Sequence, residues 1–135
     1  MTRHTLYCDG ASRGNPGPAS IGFVLYDPEG TAVVELGGVI GVTTNNVAEY
    51  RALIAGLETA LERQVDRIGV RLDSLLLVKQ VTGEYRVKAA HLKPLQRRAV
   101  KLLATFEEAS IEHVRRELNT AADALANEAL DDAAS

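Results

Sequence analysis

The sequence is organised around the segment Thr5-Leu6-Tyr7-Cys8-Asp9-Gly10-Ala11-Ser12-Arg13-Gly14-Asn15-Pro16-Gly17-Pro18, in which an apolar run leads to one carboxylate and then to a loop rich in Gly and Pro. Leu6 and Cys8 alternate with Tyr7, which is the period of a β-strand with two different faces. Asp is a poor strand former, so we place the end of this strand at Asp9 and the turns after it. A carboxylate on a core strand is costly unless a hydrogen bond, a basic side chain or a metal ion compensates its charge. Alone, Asp9 would be interpreted as a turn residue, so its role depends on whether other carboxylates reach it.

Length and composition indicate one soluble globular domain. The chain has 135 residues, of which 46% are hydrophobic and 24% are charged, and this length suits a single core. Its one cysteine, Cys8, excludes an internal disulfide and is most simply a small buried hydrophobic residue. The start, Met1-Thr2-Arg3-His4, leads directly into a strand without a visible signal peptide or spanning segment, so we expect a cytoplasmic protein with no membrane association.

The net charge of the chain limits how it could bind nucleic acid. Its formal net charge is -3, which argues against binding through bulk positive charge but allows a local basic face beside a carboxylate-rich centre. Aromatic residues make up only 4% and Trp is absent, which argues against platforms on which bases stack.

Periodicity and turn signals predict the order β-β-β-α-β-α-α-β-α. The predicted strands cover residues 5–9, 19–27, 31–42, 68–72 and 111–114, and the predicted helices cover 45–63, 74–81, 92–106 and 121–130. This order predicts an α/β fold with a five-stranded mixed sheet, made of a three-stranded antiparallel meander plus two parallel strands, with helices on both faces. We expect one domain over residues 1–130, followed at 131–135 by a disordered tail or the start of a linker.

Four acidic residues fall at element boundaries: Asp9, Glu49, Asp73 and Asp123. Sites in α/β sheets gather at the carboxyl ends of the strands, so Asp9 and Asp73 would lie side by side if their strands are parallel neighbours. Glu49 and Asp123 would face them from the starts of helices. For these two residues, a favourable interaction with the helix dipole is a competing explanation.

Four carboxylates at one point would repel one another and raise each other's pKa values, unless divalent cations neutralise them. Ligand sets made only of oxygen select Mg²⁺ or Mn²⁺ rather than Zn²⁺. Two such ions, about 4 Å apart, stabilise the attacking and leaving oxygens of an in-line phosphoryl displacement. The pattern therefore predicts a nuclease or a phosphotransferase.

Four stretches, taken together and in this order, resemble the type 1 RNase H family. They are residues 7–18 (YCDGASRGNPGP), 43–53 (TTNNVAEYRAL), 73–74 (DS) and 119–126 (NTAADALA). The resemblance covers nearly the whole chain, and it implies an RNase H-like catalytic domain. It also implies an endonuclease that hydrolyses the RNA strand of RNA–DNA hybrids and leaves 5′-phosphate and 3′-hydroxyl ends.

The same resemblance implies a site with two Mg²⁺ ions, for which Mn²⁺ can substitute, held by the four carboxylates. By position, Asp9 and Asp73 would lie nearest both ions. Glu49 would hold the ion on the leaving-group side, and Asp123 would hold the ion that carries the attacking water. We further expect a monomer, and the Asp/Ala-rich end suits a linker to another C-terminal domain in the natural protein.

Several polar residues match family positions that contact substrate. Asn15, Asn45 and Asn46 match positions that touch sugars and base edges in the minor groove, where an amide can both donate and accept. Thr44 matches a position that grips a DNA phosphate. Roles in a turn or a helix cap are the alternatives for these residues, and for Asn45 both roles are compatible.

The sequence departs from many relatives where they carry a basic, Trp-containing protrusion. Residues 83–91 are brief here and offer only Arg86 and Lys88 as phosphate contacts, so we expect weaker binding of the hybrid. We interpret most other cations of this region as a solvated helix face: Lys79, Lys93, Arg97, Arg98 and Lys101. Leu75 replaces a Gln that often contacts RNA, which removes one polar contact.

A second departure concerns a loop His that precedes the last helix in many relatives and is thought to help product release. Residues 114–119 are short and contain no His, and we place His113 on the fifth strand in a structural role. Arg116 or Glu117 remain as candidates to replace that His.

Two alternatives to a hybrid endonuclease stay open. One is a nucleic-acid-binding module without catalysis, against which the presence of all four acids argues. The other is a different two-metal nuclease or an integrase-like strand transferase on the same fold. The Asn-Asn-x-x-Glu start of the first helix and the Asp-Gly-x-x-x-Gly-Asn loop favour the RNase H interpretation.

Overall fold

A computed structural model describes residues 2–135. The strands are β1 (His4–Ser12), β2 (Gly17–Tyr26), β3 (Ala32–Thr43), β4 (Arg67–Leu72) and β5 (Glu108–His113). The helices are α1 (Asn45–Glu62), α2 (Leu75–Val81), α3 (Lys93–Thr105) and α4 (Thr120–Ala134), with short 3₁₀ turns at Ala90–Leu92 and Arg116–Leu118. Among residues 2–135, no helix combines the length and the apolar character needed to cross a membrane.

The five strands form one mixed sheet in the order β3-β2-β1-β4-β5. β1, β2 and β3 pair antiparallel as a meander, whereas β4 runs parallel to both β1 and β5. The predicted sheet of three antiparallel and two parallel strands is therefore confirmed.

Helices cover both faces of the sheet, as the sequence predicts. α1 lies on the face of Gly10, where an added Cβ would stand 2.3 Å from the backbone of Ala48. α4 lies on the opposite face, where a Cβ on Gly22 would stand 2.3 Å from the carbonyl oxygen of Ala122. Asp9 pairs directly with Gly22 across β1 and β2, so its side chain lies on the α4 face, since side chains alternate along a strand.

The main core fills the space between the sheet and the α1 face. Leu6 and Cys8 of β1, together with Leu53 and Leu57 of α1, are fully buried there. Cys8 is thus a buried free thiol, as the sequence predicts. Beyond the apolar contacts, the hydroxyl of Tyr50 donates a buried hydrogen bond of 2.7 Å to Gln80 and joins α1 to α2.

Three predicted boundaries are wrong by three residues or more, and one of them is the start of β5, which lies at Glu108 rather than at Ile111. β1 does not end at Asp9 but continues to Ser12, because its pairing with β2 extends to the Ser12–Ala19 pair. α4 does not end near Leu130 but continues to Ala134, and Arg13 forms an ion pair with Asp131 on this last part of the helix. Residues 131–134 are therefore helical rather than a disordered tail, and a linker after them stays a prediction.

Candidate active site

β1 and β4 bring two of the four acids together. Cys8 lies opposite Leu72 in the parallel register of these strands, and Asp9 and Asp73 each follow directly. Asp9 lies inside β1 rather than at its end, and only 8% of its surface is exposed. The parallel pairing of β1 and β4 therefore places Asp9 and Asp73 next to each other, as the sequence predicts.

α1 supplies Glu49 one turn after its start, and the sequence around that start explains its position. Thr44 is the N-cap, and its hydroxyl accepts a hydrogen bond of 3.3 Å from the backbone N–H of Val47. The side-chain oxygen of Asn15 accepts the backbone N–H of Asn45 at 3.0 Å. These contacts tie the loop after β1 to the start of α1, which places Glu49 near Asp9.

α4 supplies Asp123 in its first turn, and two polar contacts hold this helix on the sheet. The amide of Asn119 donates a buried hydrogen bond of 2.9 Å to the carbonyl of Cys8, the residue before Asp9. The hydroxyl of Ser20 donates to the carbonyl of Ala126 at 2.6 Å. These contacts, with the close approach at Gly22, bring Asp123 to the side of Asp9.

The pKa of Asp9 reports that the four acids converge. This pKa is raised from 3.8 to about 8, and the largest cause is burial, because an ionised carboxyl loses its hydration inside the protein. The negative charge of Asp73, a hydrogen bond with Asp123, and the charges of Asp123 and Glu49 contribute the rest of the rise. All three other predicted acids therefore act on Asp9.

Glu49 lies in a mixed environment. Burial and the charge of Asp73 raise its pKa, whereas hydrogen bonds from Ser74 and Asn45 and the positive charge of Arg116 lower it. The amide of Asn45 donates to the Glu49 carboxylate at 3.0 Å. The site thus holds Glu49 by directed hydrogen bonds as well as by burial.

The donor set of this cluster fits a hard divalent cation. Asp9, Glu49, Asp73 and Asp123 offer only oxygen atoms, which suits Mg²⁺ or Mn²⁺, and their mutual repulsion provides a reason for a cation to bind. Within residues 2–135, however, no three acidic, His or Cys side chains already stand around one point as a finished cage. The four carboxylates therefore lie close enough to interact through their charges, but they are not arranged as a complete metal site.

The predicted substrate residues fall into two places. Asn15, Thr44 and Asn45 lie together at the start of α1, where each makes the internal hydrogen bond given above. The cap role that was the alternative for Thr44 is therefore present. Asn46 instead lines a groove beside α2.

That groove has a volume of about 540 Å³ and brings Asn46 together with Arg86 and Lys88. Leu76 and Tyr85 line it as well, and neither residue was predicted from the sequence. Tyr85 is 49% exposed, and the ammonium of Lys79 lies 5.3 Å from the centre of its ring. An aromatic residue inside an otherwise polar connection was the signal that could have identified Tyr85.

The remaining predictions concern the edge of the site. His113 lies on β5, as predicted, and is its last residue, opposite Leu72 in the parallel register. Of the two residues considered as replacements for the loop His, Arg116 acts on Glu49 through its charge, which favours it over Glu117. Arg98 was predicted to lie on a solvated helix face, and it forms an exposed ion pair of 2.9 Å with Glu58.

Comparison with known proteins assigns the family. A family described as reverse transcriptase-like matches residues 7–129. Ribonuclease HI of Halobacterium salinarum is 54% identical over 127 residues, which cover 94% of this chain and 64% of that protein. A ribonuclease H of Chromohalobacter salexigens is 38% identical in an alignment that covers 98% of this chain and 87% of that protein. The chain belongs to the type 1 ribonuclease H family.

Solved structures of type 1 ribonucleases H share the fold of this chain. RNase H1 of Halobacterium salinarum superimposes with a TM-score of 0.94 at 52% identity, covering 96% of this chain and 98% of that chain. LC11-RNase H1, solved in complex with an RNA/DNA hybrid, gives a TM-score of 0.91 at 42% identity, covering 98% of this chain and 100% of that chain. The RNase H-like fold predicted from the resemblance is confirmed.

This ribonuclease H chain spans less than two thirds of the first curated relatives that it matches. It covers 64% of the Halobacterium salinarum protein. It covers 36% of bifunctional protein Rv2228c of Mycobacterium tuberculosis, with 46% identity over 130 residues and 96% of this chain. Those relatives therefore contain further sequence outside the shared ribonuclease H region.

Proposed function

We propose that this chain is an endonuclease that hydrolyses the RNA strand of RNA–DNA hybrids and leaves 5′-phosphate and 3′-hydroxyl ends. The observation that carries the proposal is the convergence of Asp73, Asp123 and Glu49 on the buried carboxyl of Asp9. A site built only to stabilise the fold would not gather four acids, because their repulsion opposes folding. The hybrid-bound structure of LC11-RNase H1, which shares this fold, supports the choice of substrate.

We propose that Asp9, Glu49, Asp73 and Asp123 hold two Mg²⁺ ions, for which Mn²⁺ substitutes. Bound divalent cations would stabilise the charge on the attacking and leaving oxygens of phosphodiester hydrolysis. The chain's own contribution is to hold four carboxylates together where β1, the end of β4 and the first turns of α1 and α4 meet. Ser74 and Asn45 support this by fixing the Glu49 carboxylate.

The predicted substrate residues form two groups, one along the groove beside α2 and one at the start of α1. We propose that Asn46, Arg86 and Lys88 meet one strand of the hybrid along the groove beside α2, with Tyr85 presenting its ring there. Asn15, Thr44 and Asn45 would meet the duplex at the start of α1. Because their side chains already make internal hydrogen bonds, we expect them to offer their remaining donors and acceptors to the substrate.

We propose that Arg116 takes the place of the loop His found in many relatives. Its charge reaches Glu49, on the side that the family resemblance assigns to the leaving group. A guanidinium there would attract the phosphate of the substrate and of the product, since Arg binds phosphate through paired hydrogen bonds.

The deciding experiment incubates the protein with labelled RNA–DNA hybrid, duplex RNA and duplex DNA, each with Mg²⁺, Mn²⁺ or EDTA. We expect metal-dependent internal cleavage of the RNA strand of the hybrid, and its loss in Asp73→Asn. Binding without cleavage would indicate a non-catalytic module, cleavage of duplex DNA would indicate a different two-metal nuclease, and joining of DNA strands would indicate a strand transferase. Wild-type turnover by Asp73→Asn in Mg²⁺ would refute the carboxylate site.

We further propose that the chain acts as a monomer in the cytoplasm and is joined to another C-terminal domain in the natural protein. The longer relatives support a multidomain context. Light scattering of the purified chain would test the monomer, and a mass measurement of the native protein would test for the additional domain. A dimer mass, or a native mass equal to that of this chain, would contradict the respective proposal.

A further inference from the structure

Asn127 lies one helical turn after Asp123 on α4 and makes hydrogen bonds back to that acid. Its amide nitrogen donates to the backbone carbonyl of Asp123 at 2.9 Å and to the carboxylate oxygen Oδ1 at 3.2 Å. Asn is a weak helix former because its amide competes with the backbone for hydrogen bonds. An Asn inside a helix is therefore unfavourable unless its side chain makes a useful contact. Here the amide of Asn127 donates to the carboxylate of Asp123.

The other acid carried by a helix has the same arrangement. Asn45 lies one turn before Glu49 on α1, and its amide donates to the Glu49 carboxylate at 3.0 Å. Residues four apart on a helix lie on the same face, so each Asn is close enough to reach its acid. Each helix-borne acid thus has an amide donor that selects one orientation of its carboxylate.

Asn127 is itself held from the side of β1. Arg13, in the loop after β1, donates to the backbone carbonyl of Asn127 at 3.4 Å and forms an ion pair with Asp131 one turn further along. Asn127 is half-buried between these contacts. The loop that follows the strand of Asp9 is therefore tied to the turn of α4 that orients Asp123.

We infer that Asn127 is a positioning residue that keeps the carboxylate of Asp123 turned toward Asp9. The inference rests on the proposed function, in which both acids hold divalent cations, and Asn127 acts only through Asp123. The amide uses the Oδ1 atom of Asp123 as an acceptor, which limits the rotation of that carboxylate. Without that donor, the Asp123 side chain would lose a contact that limits its rotation, and its carboxylate would face Asp9 for a smaller fraction of the time.

The test compares Asn127→Ala with Asn127→Gln, which keeps an amide, and with Glu128→Ala as the control on the exposed neighbouring residue. Mn²⁺ affinity is measured by titration calorimetry without nucleic acid. The turnover number kcat and the KM for hybrid are measured separately. Loss of a group that orients a metal ligand typically costs about 10–100-fold in metal affinity or activity.

For Asn127→Ala we expect Mn²⁺ affinity and kcat to fall by about tenfold or more. We expect an unchanged KM for hybrid and no lower melting temperature in EDTA, since Ala is the better helix former. Asn127→Gln should recover part of the affinity, and Glu128→Ala should match the wild type. A merely structural role would instead lower the melting temperature and leave the Mn²⁺ affinity of the folded protein unchanged.

Two results would overturn the inference: wild-type Mn²⁺ affinity in Asn127→Ala, or an equal loss of affinity in Glu128→Ala. Failure of the proposed function would differ from both. In that case the wild-type protein would bind Mn²⁺ and cleave no hybrid, and the ratio of Mn²⁺ affinities between wild type and Asn127→Ala would still decide the role of Asn127.

Discussion

At the scale of single residues, burial and the neighbouring acids make the charged form of Asp9 unfavourable in the folded protein. Its pKa in the folded protein is raised from 3.8 to about 8, first by burial and then by the other acids. An acid whose pKa is raised by folding favours the folded state only while it is protonated. Its contribution is therefore complete below about pH 4 and is lost as the pH rises through the window from about 4 to about 8.

This linkage predicts the effect of Asp9→Asn on the metal-free protein. The variant cannot ionise, so it should unfold at a higher temperature than the wild type at pH 8 and at a similar temperature near pH 4. One unit of pKa corresponds to about 1.4 kcal/mol, so the difference at pH 8 should amount to several kcal/mol. Thermal melts in EDTA at pH 4, 6 and 8 measure it, and a gap between the two proteins that does not change with pH would contradict the assignment.

At the scale of elements, the placement of α4 depends on glycines of the sheet. A Cβ on Gly37 of β3 would stand 2.4 Å from the carbonyl oxygen of Leu125, whereas a Cβ on the adjacent Gly38 would meet nothing within 4 Å. Adjacent residues of a strand point to opposite faces of the sheet, so Gly37 points toward α4 and Gly38 points away from it. They therefore form a matched pair for testing how closely α4 must approach.

We predict that Gly37→Ala lowers the free energy of unfolding by about 1–3 kcal/mol, because α4 must move away from the sheet. That movement should also lower hybrid cleavage, since it carries Asp123 away from Asp9. Gly38→Ala should keep both stability and cleavage. Chemical denaturation and initial cleavage rates of the two variants provide the measurement, and equal behaviour of Gly37→Ala and Gly38→Ala would show that α4 tolerates displacement.

At the scale of the whole molecule, a net charge of -3 and the brief loop at 83–91 leave few phosphate contacts. Each contact releases counterions, and the slope of log affinity against log salt falls by about 0.9 per contact on a B-form duplex. A hybrid is not B-form, so the informative quantity is the comparison among variants. We expect a shallower slope than for a relative that carries the basic protrusion.

This charge balance predicts opposite effects for two residues of the same groove. Lys88→Ala should weaken binding to every duplex and flatten the salt slope, because it removes a phosphate contact. Asn46→Ala should reduce hybrid cleavage and leave the slope nearly unchanged, because an amide in the minor groove releases no counterion. Binding measured over a range of salt in Ca²⁺, which suppresses cleavage, distinguishes the two, and an equal loss of slope would contradict this division.

The sequence alone determined the order of elements, the mixed sheet and the four acids, because alternation, helical spacing and residues that cap or turn are local signals. It placed Asp9 at a strand end because Asp disfavours strands, yet β1 runs on to Ser12. Pairing with β2 outweighs that local preference. Likewise, α4 extends to Ala134, where Arg13 pairs with Asp131 from a distant part of the chain.

Only the tertiary structure decided which polar groups act on which acid. The amides of Asn45 and Asn127 donate to Glu49 and Asp123, and the choice between a cap, a substrate contact and an orienting role depends on side-chain direction. The groove that joins Asn46 to Tyr85 forms between segments far apart in sequence. Such contacts depend on how the helices pack on the sheet, and no local pattern of residues encodes that packing.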